Sequence, residues 1–277
     1  MADRSDYANP QLLVSTDWLA GHLGDANLRV VDCDVRDAYR RAHIPGAVNP
    51  IEHYMKGPDS RLIMGPEQFA KELSEMGIGD DTLAVCYDAS GSLYATRFWW
   101  CLRYYGHDQC VVVNGGFNKW VAEGRSVDYK VPPKGSATFT AKAPREDVVC
   151  LAEGLKQRIA RPGVVVWDVR SAGEWTGANS RGNKRVGHVP GAVHREWSDA
   201  MTAGEIQSFR PAAEVRGMLD GLGISNEKEV VTYCQGGIRA AHSNFVLTLM
   251  GHPSARDYDG SMGEWANRDD TPLTLDQ

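Results

Sequence analysis

The strongest chemical signal in this chain is the run Cys234-Gln235-Gly236-Gly237-Ile238-Arg239. A cysteine attacks as its thiolate, and its reactivity depends on how far the surroundings lower a thiol pKa of about 8.5. Two adjacent glycines let the backbone turn tightly and adopt positive φ. Successive N–H groups in such a turn point inward as an anion nest. A helix beginning there adds its positive end, and Arg239 adds a full charge. These features predict an activated thiolate at Cys234. A core thiol has no need of Gly-Gly and Arg after it. Cys86, Cys101 and Cys110 lie in or beside apolar runs and read as buried core thiols.

The chain contains its own control for this reading. Val30-Val31-Asp32 followed by His43-Ile44-Pro45-Gly46-Ala47-Val48 recurs as Val166-Trp167-Asp168 followed by His188-Val189-Pro190-Gly191-Ala192-Val193. Ala84-Val85-Cys86-Tyr87-Asp88 recurs as Val230-Val231-Thr232-Tyr233-Cys234, and Asn114-Gly115-Gly116-Phe117-Asn118-Lys119-Trp120 recurs as Tyr258-Asp259-Gly260-Ser261-Met262-Gly263-Glu264-Trp265. His188 lies 145 residues after His43, Cys234 lies 146 after Asp88, and Trp265 lies 145 after Trp120. Asp168 lies only 136 after Asp32. The second copy therefore carries about nine extra residues, placed within the polar, glycine-rich stretch Thr176–Val186, which reads as a surface loop. The counterpart of the thiol loop is Asp88-Ala89-Ser90-Gly91-Ser92-Leu93. It lacks both thiol and arginine, so only the second copy has the groups for nucleophilic chemistry.

A repeat this long is two copies of one domain rather than a solenoid. Val131-Pro132-Pro133-Lys134-Gly135-Ser136 has linker composition. The boundary falls within 126–145, giving an N-terminal domain over 1–130, a linker over 131–145 and a C-terminal domain over 146–277. Strands are predicted at Arg29–Asp32, Thr82–Tyr87, Val111–Val113, Val164–Trp167 and Glu229–Tyr233. Helices are predicted at Pro66–Met76, Leu93–Tyr105, Phe117–Glu123, Pro211–Leu222 and Arg239–Met250. Continuous apolar strands alternating with helices imply an α/β fold, each half a mostly parallel sheet with helices on both faces. Ligands on such sheets sit beyond the carboxyl ends of the strands, where Asp88 and Cys234 fall.

From about Leu13 to Trp265 the sequence resembles the two-domain rhodanese family. The resemblance rests on the paired His-x-Pro-Gly-Ala motifs, the Cys234 loop before a helix, and the endings Gly-Gly-Phe-Asn-Lys-Trp120 and Asp-Gly-Ser-Met-Gly-Glu-Trp265. It implies two tandem rhodanese-like domains, the first catalytically silent and the second carrying the nucleophile. It implies ping-pong sulfur transfer: Cys234 takes sulfur from a small anionic donor such as thiosulfate and holds it as a persulfide cradled by Gln235, Gly236, Gly237, Ile238 and Arg239. Cyanide, a small thiol or a thioredoxin-like acceptor then removes it. No metal or organic cofactor is required. The resemblance also places a substrate-binding arginine at Arg170, with pairing to Glu174 as the structural alternative.

Around this core the readings are plainer. Asp168 orients loop backbone. Arg185, with Lys184 and Arg195, adds cationic density that lines the pocket or is simply solvated. His43 and His188 each stabilise a turn, and His242 packs. Trp120 and Trp265 anchor the core. Asp34, Val35 and Arg36 are the N-terminal residues through which that half could reach the cleft.

Three rivals remain open. Relatives specialised for 3-mercaptopyruvate have a small neutral loop, whereas this one carries Arg239, which leans toward dianionic thiosulfate; yet it lacks the basic pair of some thiosulfate enzymes, having Gln235 and Gly236 instead. Cysteine phosphatases place five residues between Cys and Arg, whereas here there are four, a narrower cradle. A non-enzymatic sulfur carrier would load once and stall. Composition sets the outer limits. A net charge of −6 opposes nucleic-acid binding. No stretch approaches the ~20 apolar residues of a membrane span. The polar start Met1-Ala2-Asp3-Arg4-Ser5-Asp6 has no apolar signal core, and no Cys-x-x-Cys pair occurs. The expectation is a cytoplasmic protein without membrane or nucleic-acid partners.

Overall fold

A computed structural model describes residues 6–58 and 62–275. The first half contains β1 (Leu13–Val14), α1 (Thr16–His22), β2 (Leu28–Asp32), α2 (Arg36–Arg41), α3 (Pro66–Glu75), β3 (Leu83–Tyr87), α4 (Leu93–Tyr104), β4 (Cys110–Val113) and α5 (Gly116–Ala122). The second contains β5 (Val149–Cys150), α6 (Ala152–Lys156), β6 (Val164–Asp168), α7 (Ala172–Trp175), β7 (Val193–His194), α8 (Ala212–Gly221), β8 (Glu229–Tyr233), α9 (Ile238–Leu249), β9 (Ala255–Tyr258) and α10 (Ser261–Trp265). The strands order as β1-β4-β3-β2 and β5-β9-β8-β6-β7. Every strand pair is parallel.

The predicted strands and helices are present within a residue or two of their expected ends. Register is kept across the repeat despite the insertion: β2 pairs with β3 from Leu28↔Leu83 to Asp32↔Tyr87, and β6 with β8 from Val164↔Glu229 to Asp168↔Tyr233. Four strands escaped the sequence reading. β1, β5 and β7 have two residues each, too few for a pattern. β9 carries Arg256 and Asp257 and so lacks an apolar run; Arg256 Nε sits 2.6 Å from Glu229 on β8.

Both His-x-Pro-Gly-Ala turns are tied to the strand that leads into the neighbouring loop. Ile44 N donates to Tyr87 Oη at 2.9 Å, and Val189 N donates to Tyr233 Oη at 3.1 Å. His43 Nδ1 donates to Tyr39 O at 2.8 Å, while His188 stacks on Trp175 with ring centroids 3.4 Å apart. Each histidine thus supports its turn. Trp120 and Trp265 are buried, and their indole N–H groups hold Ser126 O and Pro272 O, both at 2.8 Å.

The two halves meet along α4 and α9, the helices that follow Asp88 and Cys234. α4 buries every residue from Ala95 to Leu102, and α9 every residue from Ala240 to Leu247, as expected of helices packed on all sides. Trp99 stands edge-on to Phe245 at 4.9 Å, and Arg103 lies over Trp99 and donates to Thr248 Oγ1. The halves also reach across each other. Lys56 bridges Ile63, whose N–H donates to Asp259 Oδ2 at 2.7 Å; Met201 bridges Phe209, whose N–H donates to Asn114 Oδ1 at 3.0 Å. Each half therefore caps the loop-bearing end of the other's sheet.

Because Trp99 fills the seam between α4 and α9, Trp99→Ala should destabilise the protein by about 3–5 kcal/mol. A urea titration followed by circular dichroism would show this as a lowered midpoint.

Candidate active site

Cys234 follows the last residue of β8 and is 1% exposed. The loop behind it is fastened to α10. Cys234 N and Gly237 N both donate to Ser261 Oγ, at 3.0 and 3.1 Å, and Ser261 Oγ donates to Tyr258 O at 2.7 Å. Met262 N donates to Cys234 O and Gly263 N to Gln235 O. Ser261 holds this post at φ +49°, a left-handed conformation that side chains rarely adopt. Gly237 lies at φ +80°, and a Cβ there would fall 2.3 Å from Asp259 Oδ1, so the turn admits only glycine. α9 starts directly after it with no side-chain cap, leaving its first amides for an anion.

Burial pushes the Cys234 thiol pKa up, but the Arg239 charge, the amides of Gly236 and Ala240 and the Ser261 hydroxyl outweigh it, and the net shift is downward. Arg239 is itself fixed. Its Nη1 and Nη2 lie 2.7 and 2.8 Å from the two carboxylate oxygens of Glu174. Burial raises the Glu174 pKa, and the paired Arg239 more than reverses this, holding it at about 2. Glu174 also closes the capping box of α7 with Ser171.

The corresponding loop of the first half shows what this geometry binds. Asp88 Oδ1 accepts Ser90 N and Ser92 N at 2.7 and 2.9 Å, and Oδ2 accepts Tyr94 N and Ala95 N at 2.8 Å each. Ser90 and Ala95 are the counterparts of Gly236 and Ala240. Burial raises the Asp88 pKa against these amides, yet four donors leave no acceptor for a carboxyl proton. In the first half the cradle is filled by its own side chain. In the second it surrounds a sulfur.

The remaining predicted residues divide. Gln235 turns from the thiol and exchanges two amide hydrogen bonds with Asn183 of the inserted loop, at 2.9 and 3.0 Å. Gly236 and Ile238 are half-buried. Asp168 Oδ1 accepts Arg170 N at 3.0 Å, as expected of a backbone-orienting carboxylate. Arg170 departs from the expected pairing with Glu174. It is buried and pairs with Asp168, not Glu174; Nε and Nη2 are taken by Asp168 and by Gly187 O. Only Nη1 is left to meet a donor. Arg185 is no pocket residue: its guanidinium clamps Ala266 O, Thr271 O, Trp265 O, Arg268 O and Thr271 Oγ1. The chain after α10 folds back over it and uses every nitrogen. Lys184 is exposed, and Arg195 pairs with Asp199 at half exposure. His242 packs between Trp197 and Phe209, and burial pushes its pKa down to about 3. Asp34 accepts Ala89 N and so serves the Asp88 loop, while Val35 and Arg36 are exposed.

Sequence reasoning missed Glu174 as the partner of Arg239 and Ser261 as the loop's anchor. Each had a signal, in the Ser171-x-x-Glu174 capping pattern and in the exchange of Gly116 for Ser261 between the repeats. It also missed Lys56 and Arg97, which enter from the first half: Arg97 Nη1 lies 2.8 Å and Lys56 Nζ 3.5 Å from Asp259 Oδ1.

Residues 15–123 and 151–268 both match the family model described as Rhodanese-like domain. The chain is 34% identical over 281 residues to the sulfur carrier protein TtuD of Thermus thermophilus, covering 96% of this chain and 98% of that one. It is 33% identical over 280 residues to a thiosulfate sulfurtransferase of Corynebacterium glutamicum, with 97% and 92% covered. A solved structure of EanB, holding a cysteine persulfide in a tetrahedral intermediate state with ergothioneine, superposes with a TM-score of 0.89 at 25% identity, over 97% of this chain and 71% of EanB.

The electrostatics give a direct expectation for the thiol. Arg239→Gln should raise the Cys234 titration midpoint by about one pH unit or more, read from thiolate ultraviolet absorbance as the difference from Cys234→Ser.

Proposed function

Since this chain belongs to the rhodanese family, whose members work through a cysteine persulfide, we propose that it is a thiosulfate sulfurtransferase with Cys234 as its catalytic residue. The Cys234 thiolate attacks the outer sulfur of thiosulfate. A sulfur–sulfur bond forms, the donor's own sulfur–sulfur bond breaks, and sulfite leaves with the electron pair. Cyanide or a thiolate then attacks the terminal sulfur and restores the Cys234 thiolate. Charge balances at each step, and no proton need move.

The observation that carries this reading is the Asp88 carboxylate in its amide cradle. A persulfide extends from Cβ through two sulfurs, as an aspartate extends from Cβ through carbon to oxygen. The terminal persulfide sulfur therefore falls where the first half places a carboxylate oxygen, within reach of the Gly236 and Ala240 amides. Preorganised N–H groups of this kind stabilise charge without reorganisation. Gln235, Gly236, Gly237, Ile238 and Arg239 form the cradle, Asp168 and His188 support it, and Arg170 contributes one edge at most. The functional partners are a small sulfur donor and a sulfur acceptor.

A second reading has one observation in its favour: the similarity to a protein named as a sulfur carrier. In that case the acceptor is another protein and small acceptors discharge Cys234 slowly. The six cysteines are free thiols, and Cys86 and Cys110 lie 3.4 Å apart in a thiol–thiol hydrogen bond, which suits a reducing, cytoplasmic setting. Among the described residues no helix is long and apolar enough to cross a membrane.

Incubation with thiosulfate should add about one sulfur mass (~32 Da) to Cys234, removable by cyanide, with mass spectrometry as the readout and Cys234→Ser as the control. Many turnovers with cyanide mark an enzyme; one loading followed by a stall marks a carrier. A much larger kcat/KM with 3-mercaptopyruvate than with thiosulfate would reassign the donor.

A further inference from the structure

The internal repeat allows the wall facing each loop to be compared position by position. Lys56, Arg97, Asp257 and Asp259 surround the Cys234 loop. Their counterparts 145 residues away in sequence are Met201, His242, Val112 and Asn114. The backbone is equivalent on the two sides, since Lys56 bridges Ile63 as Met201 bridges Phe209, and Asp259 caps Ile63 N as Asn114 caps Phe209 N. One side is neutral and the other holds four ionisable groups, each buried. Removing such groups from water is expensive, and the Asp88 side shows that the same interface closes without them. The charges are therefore not needed to join the halves.

The pairing of Arg97 and Asp257 is incomplete as it stands. Arg97 is fully buried and donates Nε to Tyr54 O at 3.0 Å. Nη1 lies 2.8 Å from Asp259 Oδ1, but neither Nη1 nor Nη2 completes a hydrogen bond. Lys56 Nζ is 3.5 Å from the same oxygen, and that oxygen abuts Gly237 in the thiol loop. Asp257 has no hydrogen-bond partner at either oxygen; burial and the neighbouring Asp259 push its pKa well up, favouring the neutral form. Arg97 Nη1 also lies 3.9 Å from Asp257 Oδ2, so Lys56 and Arg97 stand together beside the two carboxylates, and the Cys234 charge acts on Lys56. Within the second half, by contrast, Arg185 has no free nitrogen, Arg239 is held by Glu174, and Arg170 retains only Nη1.

We propose that Lys56 and Arg97, supplied by the half without the thiol, form the anion-binding wall of the Cys234 site and hold the sulfonate oxygens of the donor. This rests on the sulfurtransferase reading and extends it. The loop amides receive the outer sulfur, while Lys56 and the Nη edge of Arg97 receive the oxygens that gain charge as sulfite departs. The first half is then silent as a nucleophile but necessary to donor binding, and a large neutral donor gains nothing from the wall.

The test separates charge recognition from sulfur chemistry. Cys234 is alkylated with iodoacetate and with iodoacetamide, at a pH above its titration, in the wild type and in Lys56→Met, which installs the residue found at the counterpart position. Iodoacetate should slow by about tenfold or more in the variant, iodoacetamide by less than about twofold, and Lys56→Arg should recover the iodoacetate rate. The KM for thiosulfate should rise in parallel. Equal slowing of both reagents, or no slowing of either, overturns the wall. If the alkylation contrast appears but thiosulfate never loads Cys234, the wall stands and the sulfurtransferase reading fails. If thiosulfate loads at unchanged KM in Lys56→Met, the wall fails and that reading stands.

Discussion

Amide groups converging on one point at the end of a parallel sheet demand an anion, and much of this structure follows from that demand. The four donors around Asp88 are satisfied by a carboxylate from the same loop. At Cys234 the amides of Gly236 and Ala240 meet a sulfur while Gly237 N is held by Ser261, and Gly237 can adopt the required backbone only because it has no side chain. The thiolate is stabilised first by the Arg239 charge and then by amides that the fold places there anyway. Arg239 adds a formal charge, and Glu174 keeps that charge from collapsing onto the sulfur or escaping to solvent.

Burial makes the arrangement effective. A thiol enclosed among apolar neighbours would ordinarily be inert, because desolvation disfavours its ionised form. Here the enclosure is supplied by the partner half, with α4 packed on α9 and the Lys56–Ile63 bridge laid over the thiol loop. The same enclosure that excludes water strengthens every nearby charge. Duplication thus provides more than a scaffold. One copy retains a self-filled cradle and covers the other, and the copy so covered carries the thiol.

Much of this was legible in the sequence. The Gly-Gly turn, the following helix and the Asp88 contrast pointed to the Cys234 loop and its anion-holding geometry, because backbone conformation and local charge act over a few residues. The parallel sheets were legible for the long apolar strands. β9 was not, since Arg256 and Asp257 interrupt its pattern, although its alignment with Cys110–Val113 could have exposed it. Side-chain pairing was less readable. Arg170 folds back onto Asp168 because the chain turns at the end of β6, leaving Glu174 for an arginine 65 residues away. Arg185 looked like a pocket cation, but the returning C-terminal chain brings it backbone carbonyls that no local motif announces. Lys56 lies in an irregular segment with no motif, and only its contrast with Met201 marks it.

The most direct test of the cradle is a crystal structure after brief exposure to thiosulfate. One additional sulfur is expected on Cys234 Sγ, lying within hydrogen-bonding distance of the Gly236 and Ala240 amides and overlaying an Asp88 carboxylate oxygen when the two halves are superposed. An added sulfur directed away from those amides, or carried by another cysteine while Cys234 stays unmodified, would contradict it.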